Sequence, residues 1–189
     1  MWLKQFLVEA KRVIKDTGAI VLCCDQKTNY RIRLLLDEVF GENNFVNEIV
    51  WLYGAGGYKR TIPFATKHDT IYIYSKTENY FYKKLIDPET KTIYKDWWRI
   101  KSIADKSGYL KIDDEWKILT PYQKPKKLFE RFILALTKEN DVVLDPFMGS
   151  GTTAAACIQT NRKFIGYEID KEYCKIANKR LSQEVLKCI

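Results

Sequence analysis

The 189-residue chain contains a single histidine, His68. That scarcity leaves little scope for a histidine-rich zinc site or a Ser-His-Asp triad, so no metal site is expected. Its five cysteines, Cys23, Cys24, Cys157, Cys174 and Cys188, form no CxxC pair and no even framework. This argues against a disulfide-stapled secreted module and for reduced, mostly buried thiols. No apolar run approaches the roughly 20 residues that span a bilayer, and Met1-Trp-Leu-Lys-Gln lacks the n-region and h-region of a signal peptide. A cytoplasmic location, or a nucleoid-associated one in a prokaryote, and no membrane partner are expected.

What is present suits one compact domain over residues 1–189: 46% of residues are hydrophobic and 14% aromatic, enough for a sizeable core. The formal net charge of +8 points to an anionic partner, because a cationic surface concentrates polyanions such as nucleic acid.

Periodicity predicts an α/β fold. Trp2, Leu3, Phe6, Leu7, Ala10, Val13 and Ile14 recur at helical spacing, and Gly18 stops that helix. Ala19–Cys24 is a short continuous apolar run, as in a strand covered on both faces of a parallel sheet. A second helix is expected over Tyr30–Phe40, closed by Gly41, and strands over Val46–Trp51 and Asp69–Tyr74. The final third predicts helix 125–137, strand 142–145, helix 152–160, strand 164–168 and helix 171–186. Alternating strand and helix of this kind argues for a doubly wound, Rossmann-like sheet. Between them, residues 77–117 interleave lysines with aromatics without period, and read as an irregular insertion.

Chemistry concentrates in Val142-Val-Leu-Asp-Pro-Phe-Met-Gly-Ser-Gly-Thr-Thr-Ala154, where a strand ends in an acid and passes through Gly-x-Gly into a helix. Glycines there let backbone run close beneath a ligand. No Gly-Lys-Ser/Thr follows, which excludes a P-loop. Gly149-Ser-Gly-Thr-Thr-Ala154 does match a dinucleotide fingerprint, with Glu168 near the expected distance, so a nicotinamide cofactor is one reading. Asp145 argues against it: a carboxylate beside the turn crowds a diphosphate and suits a cationic ligand, such as the ammonium and sulfonium of S-adenosylmethionine.

With these residues in view, Asp145–Thr153 and Gly166-Tyr-Glu168 resemble the cofactor half of the DNA amino-methyltransferases (cytosine-N4/adenine-N6) of restriction-modification systems, in their β order. Thr120-Pro-Tyr-Gln-Lys-Pro125 resembles the TQKP segment of that family, Val39–Phe45 its FGxxNF stretch, and His68–Lys76 its HDxIxxYSK stretch. The resemblance implies an S-adenosylmethionine-dependent methyltransferase fold, double-stranded DNA as partner, and adenine-N6 rather than cytosine-N4 as target. It further implies that Lys124 meets the methionine carboxylate, that Asp145, Phe147, Gly149 and Gly151 shape the methionine pocket, that Glu168 holds the ribose, and that Ile169 lies against adenine. Thr152 and Thr153 either contribute hydroxyls to the ligand or cap the helix. Lys124 is alternatively a solvated surface lysine.

The family's D/N/S-P-P-Y/F tetrapeptide, which holds the target amino group and stacks the flipped base, is not found, since none of the five prolines adjoins another. No catalytic residue is therefore assigned. The expectation is a C-terminal portion with an incomplete sheet and little or no activity alone, its catalytic loop supplied by an N-terminal segment or a second polypeptide. A non-catalytic DNA-binding or partner module with a degenerate fold is the alternative. Residues 77–117 stand where the family carries its target-recognition region. Trp97, Trp98, Arg99, Lys101 and Lys106 are the candidates for DNA contact, or else tryptophans of a local core beside solvated lysines.

Overall fold

The computed structural model describes residues 2–54, 63–101, 109–112, 115–118 and 123–186. The chain divides into two compact units, Met1–Arg99 and Ile100–Ile189. No helix among the described residues is long and apolar enough to cross a membrane.

In the first unit, helices α1 (Trp2–Val13) and α2 (Asn29–Phe40) alternate with strands β1 (Ala19–Cys24), β2 (Phe45–Leu52), β3 (His68–Ser75) and β4 (Trp97–Arg99). The strands form one sheet in the order β1-β3-β2-β4. β3 runs antiparallel to both β1 and β2, while β4 runs parallel to β2. Leu7 of α1, Ile32, Leu35, Leu36 and Phe40 of α2, and Tyr72 and Tyr74 of β3 share one core cluster. The helices therefore cover one face of the sheet with their apolar stripes.

β1 departs from its expectation. It lies antiparallel to β3 at the edge of the sheet, and all six of its residues are half-buried. A continuous apolar run says nothing about the direction of its neighbour, and here that neighbour is a returning strand. The 77–117 stretch also contains more order than aperiodicity suggested. Ile86 and Ile93 form an antiparallel bridge, β4 joins the sheet, and β5 (Tyr109–Ile112) pairs with β6 (Glu115–Ile118) as a hairpin in the second unit.

Two polar devices set the helices on the sheet. Lys76 donates to the carbonyl of Ile14 at 2.7 Å and pairs with Asp16, while the Thr77 hydroxyl donates to the Asp16 carbonyl at 2.8 Å. The Tyr-Ser-Lys stretch thus caps the end of α1 and fixes the turn into β1. Arg33 lies 3.7 Å from the ring centre of Phe45, within 6.0 Å of those of Tyr72 and Tyr74, and pairs with Asp37 at 3.1 Å. The Tyr74 hydroxyl donates to Asp37, and burial pushes that phenol well above its usual range.

The second unit runs α3 (Lys126–Leu136), β7 (Val142–Asp145), α4 (Thr152–Gln159), β8 (Lys163–Gly166) and α5 (Lys171–Leu186). β7 and β8 are parallel, with Val142 opposite Lys163 and Asp145 opposite Gly166. Val143 and Phe164 face inward onto Ile133 of α3 and Ala156 and Cys157 of α4. Their alternates, Val142, Leu144 and Ile165, are 48%, 42% and 47% exposed. The second face of this parallel pair is therefore apolar and only part-buried, where parallel strands are ordinarily covered on both sides. Of the four described cysteines only Cys157 is fully buried, the others being half-buried; burial pushes its thiol up to about 12, so it stays protonated and inert.

Arg162 fastens the ends of α3 and α4 together. Its guanidinium donates to the Thr137 carbonyl at 2.8 Å, the Thr137 hydroxyl at 3.0 Å and the Thr160 carbonyl. Thr137 and Thr160 are the C-caps of α3 and α4, so one cation serves two helix ends. Arg162→Ala is expected to cost about 2–3 kcal/mol in denaturant unfolding, because helix-end carbonyls lose charged donors. Arg162→Lys should recover only part of that, since one ammonium cannot span the same fork.

Candidate functional site

The chemistry-bearing segment is the turn between β7 and α4, which faces the end of β8. Backbone bonds from Tyr167 N to the Asp145 carbonyl and from Met148 N to the Tyr167 carbonyl, each 3.0 Å, continue the β7–β8 pairing past the strand ends. Residues 145–148 and 167 are thereby locked beside each other. Gly151, with φ of +75°, turns the chain into α4, and Gly149, with φ of +52°, adopts the same left-handed region. A Cβ at Gly151 would stand 3.1 Å from the Ala177 Cβ of α5, whereas one at Gly149 would meet nothing within 4 Å. Gly151 thus serves packing as well as conformation, while Gly149 fronts open space.

Two carboxylates frame this turn. Asp145 accepts from the Phe147 N–H at 3.0 Å and from the Thr153 hydroxyl at 2.5 Å. Glu168 accepts from the Gly149 N–H and the Asp170 N–H, both at 2.9 Å. Each carboxylate oxygen retains a second lone pair for a ligand donor. Beside Glu168 opens a cleft of about 340 Å³ lined by Pro146, Phe147, Tyr167, Glu168 and Ile169. Phe147, Tyr167 and Ile169 are 58%, 63% and 98% exposed, an apolar rim around a carboxylate.

The candidate residues separate by location. Asp145, Phe147, Gly149, Gly151, Glu168 and Ile169 gather at the turn and cleft. Thr152 and Thr153 are buried at the start of α4, and neither makes a side-chain cap there. The Thr152 hydroxyl accepts from Arg180 at 2.9 Å, and Thr153 braces Asp145. Lys124 is half-buried just ahead of α3. Trp98 is 8% exposed, its indole N–H donating to the Lys95 carbonyl at 2.7 Å and its ring near Tyr94. It belongs to the packing of the first unit. Its neighbour Trp97 is half-exposed with the Lys95 ammonium 5.8 Å from its ring centre, as strand alternation requires. Arg99 and Lys101 are exposed, and Lys106 lies outside the described residues. Among the described residues no group of histidine, cysteine and acidic side chains could hold a metal ion.

Sequence reasoning missed Arg180. This residue of α5 is 7% exposed and also donates to the Ser150 carbonyl at 3.3 Å, holding the turn from below. An arginine within a helix of mixed charge carries no signal that separates a buried strut from a surface cation.

The model of a family described as DNA methylase matches residues 1–179. A type II methyltransferase of Lactococcus lactis subsp. cremoris, M2.LlaDCHI, is 33% identical over 181 residues, 92% of this chain and 64% of that protein. The DNA adenine methyltransferase YhdJ of Escherichia coli K12 is 31% identical over 197 residues, 95% of this chain and 66% of that protein. The chain therefore spans just under two thirds of the length of these relatives. Among solved structures, the M1.HpyAVI–SAM complex aligns with a TM-score of 0.74 and 28% identity, covering 95% of this chain and 82% of that one. TTHA0409 of Thermus thermophilus complexed with S-adenosyl-L-methionine aligns at 0.71 and 20% identity, over 97% and 76%, a likeness of fold alone.

Proposed function

The chain belongs to the DNA methylase family, and from that premise we propose that it binds S-adenosylmethionine at the β7–α4 turn and serves adenine-N6 methylation of double-stranded DNA. The observation that carries the cofactor reading is the pair of carboxylates on the turn. Glu168 already accepts the Gly149 N–H that a diphosphate would need, and Asp145 adds a second negative charge. Such a turn disfavours a dinucleotide and favours an ammonium and a sulfonium. The open space over Gly149 and the apolar rim of Phe147 and Ile169 fit an adenosine-sized group. In this reading Glu168 accepts from the ribose hydroxyls, Asp145 from the amino group, Lys124 pairs with the carboxylate, and Gly149 and Gly151 give the backbone its close approach. Thr152 and Thr153 act through Arg180 and Asp145. Bound there, S-adenosylmethionine supplies an electrophilic methyl group.

Adenine is favoured by the FGxxNF and Tyr-Ser-Lys stretches and by the 31% identity to a relative named as a DNA adenine methyltransferase. The 189 residues hold no Pro-Pro pair to position the weakly nucleophilic exocyclic amine. We propose that a further segment or a second polypeptide supplies that tetrapeptide. Labelled methyl transfer to duplex DNA by the 189 residues alone should stay near background. It should appear as N6-methyladenine when the matching Asp-Pro-Pro-Tyr segment of a relative is added or fused ahead of residue 1. Robust transfer by the chain alone would sink the dependence on that segment, and N4-methylcytosine as product would sink the adenine assignment.

DNA contact is proposed for the exposed Trp97, Arg99 and Lys101, together with Lys106. Changing Arg99, Lys101 and Lys106 to alanine together should weaken duplex binding and flatten its log–log salt dependence by about 2–3, one unit per lost phosphate contact. Unchanged binding by a folded variant counts against this surface.

A further inference from the structure

We infer that Arg180 is a positioning residue of the cofactor site: from α5 it holds the glycine turn in the shape that receives S-adenosylmethionine, without meeting the ligand. The inference rests on the cofactor reading of that turn and adds the support beneath it. Arginine is among the side chains most costly to bury, because its guanidinium gives up water. Arg180 is buried all the same. Its Nη1 donates to the Ser150 carbonyl at 3.3 Å and to the Thr152 hydroxyl at 2.9 Å. Ser150 and Thr152 are themselves buried, so their oxygens depend on a donor from the protein.

The turn needs such support because Gly149 and Gly151 both stand at positive φ, +52° and +75°, and glycine is held in no one conformation by its own sterics. Charges of opposite sign grip successive peptide units of it. Glu168 accepts from the Gly149 N–H at 2.9 Å, and Arg180 donates to the next carbonyl, that of Ser150. One turn earlier on α5, Ala177 packs so near Gly151 that a Cβ there would stand 3.1 Å from its own. In the complex proposed above Glu168 is shared with the ribose, whereas the buried Arg180 keeps its bonds to the turn. A turn fixed beforehand loses less conformational freedom on binding, and the guanidinium thereby raises affinity from a distance.

Arg180→Met keeps a long unbranched stem and removes the donors, while Thr152→Val removes only the hydroxyl that Arg180 meets. Calorimetry is run at a temperature where circular dichroism shows each chain folded, so that it reads affinity and not the folded fraction. Arg180→Met should bind S-adenosylmethionine and S-adenosylhomocysteine about tenfold to a hundredfold more weakly, as expected for losing a charged donor. Thr152→Val should weaken binding by a smaller factor, and the double variant should bind no more weakly than Arg180→Met alone. If Arg180→Met does not fold, Arg180→Lys, which keeps a donor on a shorter stem, takes its place in the same cycle, with a smaller loss expected. Wild-type affinity in the folded arginine variant, with only its melting temperature lowered, makes Arg180 a packing residue and overturns the inference. Losses that add in the double variant contradict it too, because Thr152 then acts independently of Arg180. If the wild-type chain binds neither cofactor form, the cofactor reading itself fails and the inference with it; weakening confined to the variants leaves that reading standing.

Discussion

Glu168→Ala is expected to lower the affinity for S-adenosylmethionine by about 30- to 700-fold while the chain stays folded. The Glu168 carboxylate is part of the turn's own structure. It accepts from the backbone of Gly149 and of Asp170 at 2.9 Å each, tying the glycine turn to the segment after β8. Alanine leaves both N–H groups without that acceptor and removes the group proposed to hold the ribose. A charge-assisted bond of this kind is worth about 1.5–3 kcal/mol, so losing turn order and ribose contact together weakens binding by about 2–4 kcal/mol. Glu168→Gln retains one oxygen acceptor and should fall between alanine and the wild type. Calorimetry with S-adenosylmethionine checks the series, and an alanine variant that binds as tightly as the wild type removes Glu168 from the site.

Gly151→Val should damage the fold as well as the site. Gly151 has φ of +75°, a region costly to any residue with a Cβ and most costly to a β-branched one. Its Cβ would also press on Ala177, 3.1 Å from that Cβ and 3.5 Å from its Cα, where α5 crosses the turn. Strain and overpacking together predict a loss of about 3–4 kcal/mol, seen as a fall in Tm of about 6–16 °C for a chain of this size. Cofactor binding should be lost too. Gly151→Ala should be milder, and adding Ala177→Gly should relieve part of its penalty when compared with Ala177→Gly alone in a double-mutant cycle. Strict additivity there would mean that the Gly151–Ala177 contact is not the source of the cost.

The sequence legibly announced the long elements. Each helix with an apolar stripe, such as Leu7 in α1 or Leu35, Leu36 and Phe40 in α2, lies where its period predicts, within the usual drift of two or three residues at the ends. Direction and partner were not legible: the run Ala19–Cys24 carries no mark of the antiparallel neighbour that pairs with it. β4 spans only Trp97–Arg99, too short to show the alternation that buries Trp98 and exposes Trp97. At the turn, Gly149 and Gly151 were readable because a left-handed backbone restricts the residue type, and Asp145 and Glu168 because they end the two strands that flank it. The struts beneath were not, for Arg162 and Arg180 become recognisable only when two helix ends or a turn carbonyl are seen to converge on them.

The central claim, that the two-carboxylate turn receives a methyl donor rather than a dinucleotide, is tested most directly by calorimetric titration of the 189-residue chain with S-adenosylmethionine and, separately, NAD. Saturable one-to-one binding of S-adenosylmethionine with no heat from NAD is the predicted result. Binding of NAD, or a folded chain that takes up neither S-adenosylmethionine nor S-adenosylhomocysteine, would contradict it.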